Sequence, residues 1–201
     1  MLLRIIYTLG YLIFFVGFIL KFMHLPFNTF IMIGALVLLI ILLIVDFAKR
    51  GISQRGLINL SVWLWLLCLV LTIKFLPLST LSLILATLSS IAALWGVYQD
   101  QSWTSTTLLF PTAVISVLLY LMPGHQRYNL VSIRWNQEID RDYRTWDKYA
   151  WFLYQNQEYK QALEASKKAE KLAGQNGNQE WEELAARHQQ MIYERSWSDY
   201  P

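Results

Sequence analysis

Apolar residues fill five runs in the first 123 positions, 5–23, 27–45, 57–73, 78–97 and 106–122, each bounded by a short polar or proline-containing stretch. At about 1.5 Å of helix rise per residue, such runs approach the roughly 30 Å hydrocarbon layer of a bilayer. They predict five membrane-spanning helices. Four is the alternative, because the last run carries Pro111 and threonines. Further along, the pattern changes: polar residues dominate and large apolar ones recur at helical spacing, as amphipathic helices of a water-facing module require. The predicted fold is all-α: a polytopic membrane helix bundle over 1–123, a linker over 124–138 and a small helical module over 139–201.

The first four runs read as a duplicated hairpin, repeat 1 over 1–56 and repeat 2 over 57–100, followed by the fifth span. Each copy has an apolar run, a lysine at its end, a proline that cannot continue a helix, and a second apolar run. Lys74 aligns on Lys21 and Pro77 on Pro26 after a two-residue deletion that removes Met23-His24. A repeat that dispenses with the histidine makes Lys21, His24, Pro26, Lys74 and Pro77 a structural motif, the lysines reaching to the membrane interface and the prolines ending helices. The competing reading gives His24 a proton-handling or ligand-binding role.

Charge sharpens the division. Residues 1–123 hold six of the 17 basic and two of the 14 acidic residues, the two being Asp46 and Asp100. Arg4, Lys49, Arg50 and Arg55 fall on one face of the membrane and Lys21 and Lys74 on the other, which puts the N-terminus in the cytoplasm. With five spans the tail is then periplasmic. The slightly acidic tail offers no basic face for nucleic acid. The lone Cys68 lies within an apolar run and provides no disulfide or metal framework.

Within the runs, Gly10, Gly17 and the Gly34-Ala35 pair predict close helix approach, and Ser82, Ala86, Ser89, Ser90 and Ala93 form one small-residue face expected inside the bundle. Trp63, Trp65, Trp95 and Tyr98 read as an interfacial aromatic belt. No run carries an acid, arginine or histidine in its central third. Such groups are the usual mark of an ion path, so their absence argues against a pump acting alone.

The segment 10–44, with Lys21, His24 and Pro26 at its turn, resembles the N-terminal hairpin of the gliding-motility motor subunit GldL and related small membrane proteins. Leu25 and Phe27 depart from that family's aromatic-Pro-Gly turn, and the stretch 36–39 has no acid where the family carries a glutamate associated with proton-driven motion. The resemblance implies a related hairpin in a Gram-negative inner membrane.

In the tail, Trp146, Tyr149, Ala150, Leu153, Tyr159, Ala162, Ala169 and Leu172 fall at tetratricopeptide-repeat spacing, with Ser166 where a larger residue is usual. Trp181, Leu184 and Ala185 then repeat the spacing of Trp146, Tyr149 and Ala150. The module therefore looks like one tetratricopeptide-type hairpin and a following helix, with Trp146, Tyr149, Leu153, Tyr159 and Trp181 as candidate partner-binding residues. Trp135, Trp151 and Trp197 lie off the consensus and are expected to pack on neighbours or on the membrane surface. His188 reads as a surface partner of Glu182 or Glu183, and charges such as Glu164 and Lys168 as a solvated face. Phosphate loops, nucleophile elbows and paired metal ligands are all missing from the sequence.

These features predict a non-enzymatic inner-membrane scaffold or assembly component without a cofactor, embedded in lipid, holding a protein partner through its tail, alone or as a homo- or hetero-oligomer. The alternative is a subunit of a transport or proton-driven motor system, its hairpins arranged as parallel repeats around a path. A membrane-bound enzyme is the third class, for which the sequence supplies no constellation.

Overall fold

The computed structural model describes residues 2–25, 27–100, 107–136 and 138–198. Pro26 and most of the polar link before the fifth run, Thr106 included, lie outside them. Every regular element described is helical, and the chain divides into two compact units: residues 1–21 with 25–121, and residues 22–24 with 122–201.

The first unit contains α1 (Leu2–Phe22), α2 (Asn28–Arg50), α3 (Gln54–Ile73), α4 (Ser79–Asp100) and α5 (Leu109–Leu121). The first four are long and apolar enough to cross a membrane. α5 has 13 residues, about 20 Å at helical rise, so the expected span over 106–122 is a shorter helix here. Pro111 sits in its first turn, where the backbone has no N–H partner to lose.

The ends of α1 and α3 are alike in backbone, in a register that differs from the one the lysines suggest. α1 ends with His24 left-handed at φ 54° and the Leu25 amide donating to Leu20 O at 3.0 Å; α3 ends with Phe75 at φ 56° and Leu76 donating to Leu71 O at 2.9 Å. Both are left-handed helix caps in which a carbonyl of the last turn is satisfied from beyond the helix end. The next helices also match, Ile31 donating to Phe27 O and Ser82 to Leu78 O, each at 3.0 Å. Leu20, Leu25 and Asn28 thus answer to Leu71, Leu76 and Ser79 without a gap. In this register the helix ends need no deletion: Phe75 stands in the place of His24, Thr72 in that of Lys21, and Lys74 in that of Met23, although Phe27 is left-handed at φ 65° and Leu78 is not.

The same register equates the small packing positions. A Cβ on Gly10 would lie 2.8 Å from Leu39 Cδ2, and one on Gly17 3.0 Å from the Met32 backbone nitrogen, so α1 and α2 approach at these glycines. Their counterparts Ser61 and Cys68 are buried, as are Ala35 and its counterpart Ala86. Gly34 faces open space and takes no part in packing.

α3 is the hub of this unit. Trp63 Nε1 donates to Leu36 O of α2 at 2.9 Å, Trp65 Nε1 to Ser90 Oγ of α4 at 2.8 Å, and Ser116 Oγ of α5 to Trp65 O at 3.1 Å. These tryptophans therefore tie helices together and do not form the expected belt, because each indole finds an acceptor on a neighbouring helix. Trp95 and Tyr98 do stand exposed. Ser82, Ala86 and Ala93 are buried, as expected for the small face of α4, while the outward surfaces of α1, α2 and α4 are lined with exposed Leu, Ile and Val. An apolar surface of this extent suits a lipid environment.

The second unit is built from α6 (Gly124–Tyr128), continued by a π-helical turn (Asn129–Ile133), then α7 (Tyr143–Gln155), α8 (Tyr159–Gln175) and α9 (Gln179–Glu194). The segment expected as a linker is thus helical over 124–133. It docks on α7 through Tyr128, whose ring lies 4.9 Å from Phe152 and 6.4 Å from Tyr149. Asp142 and Asn178 cap α7 and α9 by accepting from Thr145 N and Trp181 N. α7 packs on α8 and α8 on α9 around Ala150, Leu153, Ala162, Ala165, Ile192 and Trp197. Alanines at these positions let the helix axes come close. Ser166, small where a larger residue was expected, donates to Ala185 O of α9 at 3.1 Å.

Candidate functional site

Trp146, Tyr149 and Leu153 recur along one face of α7, three and four residues apart. With Gln161, Glu164, Ala165 and Lys168 of α8 they line a groove of about 330 Å³. Leu153 forms its buried floor. Trp146 is pinned by Nε1 donating to Ile139 O at 3.0 Å, and its ring face is covered by Lys168 Nζ at 4.0 Å. Lys168 also pairs with the exposed Asp140 at 3.2 Å, which holds it across the indole.

Beside it lies a larger groove of about 620 Å³, between α6, its π-turn and the α7–α8 hairpin. Tyr149 and Gln161 line both. The larger groove is walled by Met122, His125, Gln126, Asn129, Leu130, Arg134 and Glu158. His125, itself buried, reaches Glu158 Oε1 at 3.1 Å through Nε2, and Asn129 Nδ2 donates to Tyr149 Oη at 3.2 Å. Burial beneath Tyr149 and Phe152 pushes the Tyr128 hydroxyl up to about 12, so the phenol behind the wall stays neutral at physiological pH. The larger groove was not foreseen in the sequence. Its wall lies in the segment read as a linker, and a π-turn has no sequence signature of its own.

The other candidate residues stand apart. Tyr159 lies 5.5 Å from Tyr154 with Arg195 over its ring, and Trp181 lies 5.5 Å from Tyr143 under Arg144. Both belong to aromatic contacts between helices, so only three of the five candidates share a surface. In the hairpin motif, Lys74 is exposed and donates to Thr29 Oγ1 at 2.9 Å. Lys21 and His24 are half-buried and Pro77 is exposed. Their common feature is the pair of helix caps already described.

His188 corrects the expectation of a surface pair. It is 3% exposed and its Nδ1 lies 2.9 and 3.1 Å from the two carboxylate oxygens of Asp147, which is 0% exposed. Trp197 stacks on the imidazole at 4.4 Å. The reason is helical phase: Ala185, His188 and Ile192 share the buried face of α9, whereas Glu182 and Glu183 point outward. Trp151 packs edge-on against Phe152 at 5.0 Å, and Trp135 is exposed beside Arg134. Among the described residues no three His, Cys, Asp or Glu side chains gather in metal-binding range.

Comparison with family models, curated proteins and solved structures finds no match to this chain.

Proposed function

We propose that this is a non-enzymatic integral membrane protein of the scaffold or assembly class, which holds a protein partner through its C-terminal helical module. The observation that carries this reading is the pair of adjoining grooves on the module, which share Tyr149 and Gln161. Stacked helices with a side chain-lined groove are a recurrent means of holding another chain. In this reading the module is of tetratricopeptide type, the hairpins are related to those of the GldL group, and the protein sits in an inner membrane with its N-terminus cytoplasmic. α5 belongs to a fifth crossing in this reading, which puts the tail in the periplasm.

Two experiments test it. A photoreactive residue at Gln161, crosslinked in intact membranes, should capture one dominant protein; a ladder of unrelated products would overturn the scaffold reading. Reporter fusions in the loop after α2 and after Ser198 should report opposite faces of the membrane. Finding both on one face removes the fifth crossing.

A second reading, a subunit of a transport or proton-driven motor system, is favoured by one observation. Asp46 of α2 is 3% exposed, with Arg50 at 3.4 Å as its ion-pair partner, and a buried acid on a spanning helix is a functional-site hypothesis. Asp46→Asn should leave partner capture intact under the scaffold reading, and abolish solute or proton flux in vesicles under the second.

A further inference from the structure

Three features of the adjoining grooves specify what they take. First, one face of each ring is already taken: Tyr128 stacks on Tyr149 at 6.4 Å and Lys168 caps Trp146 at 4.0 Å. That reduces the aromatic surface left for a planar or sugar-like ligand. Second, the carboxamides of Gln126 and Gln161 are exposed on the walls and bond to no other described residue. Each offers a donor and an acceptor, the pair that an extended peptide backbone presents in turn. Third, Arg134 stands exposed at the end of the π-turn, its guanidinium 5.7 Å from the centre of the Trp135 ring. It has no acidic partner among the described residues.

The acids of the grooves do not compensate it. Glu158 is engaged by His125 and by Asn156 Nδ2 at 2.7 Å, and Glu164 lines the smaller groove, whereas Arg134 lines the larger. The fork of guanidinium donors is built for a carboxylate. We infer that the larger of the adjoining grooves binds an extended peptide segment of the partner, gripped along its backbone by Gln126 and Gln161 and fixed in register by an aspartate or glutamate that pairs with Arg134. This rests on the reading of the module as the partner-binding part. It adds that half of the site comes from α6 and its π-turn, outside the repeat-like hairpin.

The test uses the full-length protein in phosphatidylcholine nanodiscs and a phage-displayed random decapeptide library. Selected peptides should share an acid at one fixed position. For a synthetic copy of the best peptide, replacing that acid by its amide and making Arg134→Gln should each weaken binding on the order of tenfold, with no further loss when combined. Gln161→Ala should weaken the acidic and amide peptides by the same factor. Both residues are exposed, so helix content by circular dichroism should be unchanged in the variants. An acid preference that survives Arg134→Gln, or a selection without a shared acid, overturns the inference.

A second crosslinking position separates this failure from that of the functional reading. Tyr193, 86% exposed on α9, lies outside the grooves. Capture of a single partner from Tyr193 but not from Gln161 would leave the module as the binding part and remove the groove as its site. Capture from neither position removes both.

Discussion

The two membrane hairpins end their first helices in the same way and pack their small residues at equivalent places, yet they occupy different environments. In the spanning window of α1 28% of residues are buried, against 61% for α3. The difference shows which parts of a repeat unit are tied to its own hairpin and which respond to the company it keeps. The caps at His24 and Phe75, the small positions Gly17 and Cys68, and Ala35 and Ala86 serve the hairpin and are matched. The indoles of Trp63 and Trp65 serve α3 as a hub, and they stand where α1 has Leu12 and Phe14, which have no polar group to offer a neighbour.

The largest effect should come from breaking the hub. Trp65→Ala removes a buried indole and its bond to Ser90 and should cost about 3–5 kcal/mol. Phe14→Ala, at the matching position of α1, should cost less, because it loses packing but no interhelical hydrogen bond. Reversible denaturation in mixed micelles measures both; equal losses would mean that α3 is no more central than α1.

Next comes overpacking. Gly17→Leu should cost about 1–3 kcal/mol, since its side chain meets the Met32 backbone, while Gly34→Leu, into open space, should stay within about 0.5 kcal/mol. The tail's hairpin extends the comparison to the second unit. Ala162→Leu, between α7 and α8, should likewise cost about 1–3 kcal/mol and expose the tail to protease while the spanning helices still insert; Glu164→Gln should do neither. A silent Ala162→Leu would remove the close helix pair on which the groove depends.

The smallest effect sharpens the comparison most. His24→Gly and Phe75→Gly each relieve a left-handed backbone and should raise stability by up to about 1 kcal/mol. If His24→Gly folds normally but loses partner capture while Phe75→Gly keeps it, the histidine has a chemical role that its counterpart lacks.

Much of this was readable in the sequence. The apolar runs marked the four long helices, the small face of α4 was correctly turned inward, and the alanines of the tail fell where its helices meet. The register of the repeat was not readable. Lysine attracts an alignment because it is conspicuous in an apolar run, whereas the feature that is repeated is a backbone conformation. Left-handed caps usually announce themselves through glycine, but among the described residues His24, Phe75, Gln157 and Arg195 take that conformation, while glycine marks a positive-φ helix end at Gly51 and Gly177. The short helix after Pro123 was masked by a Pro-Gly pair that reads as a stop. The Asp147–His188 pair joins residues far apart in sequence, so no local spacing announces it. Of the candidate site, the large residues of α7 were legible as a face, while the opposing wall was not.

The position of α3 has a mechanical consequence. It touches α2, α4 and α5, and its two indoles bond to α2 and α4 while its backbone accepts from α5. A displacement of any one of these helices is therefore passed to the others through α3, which makes it the axle on which the first unit turns.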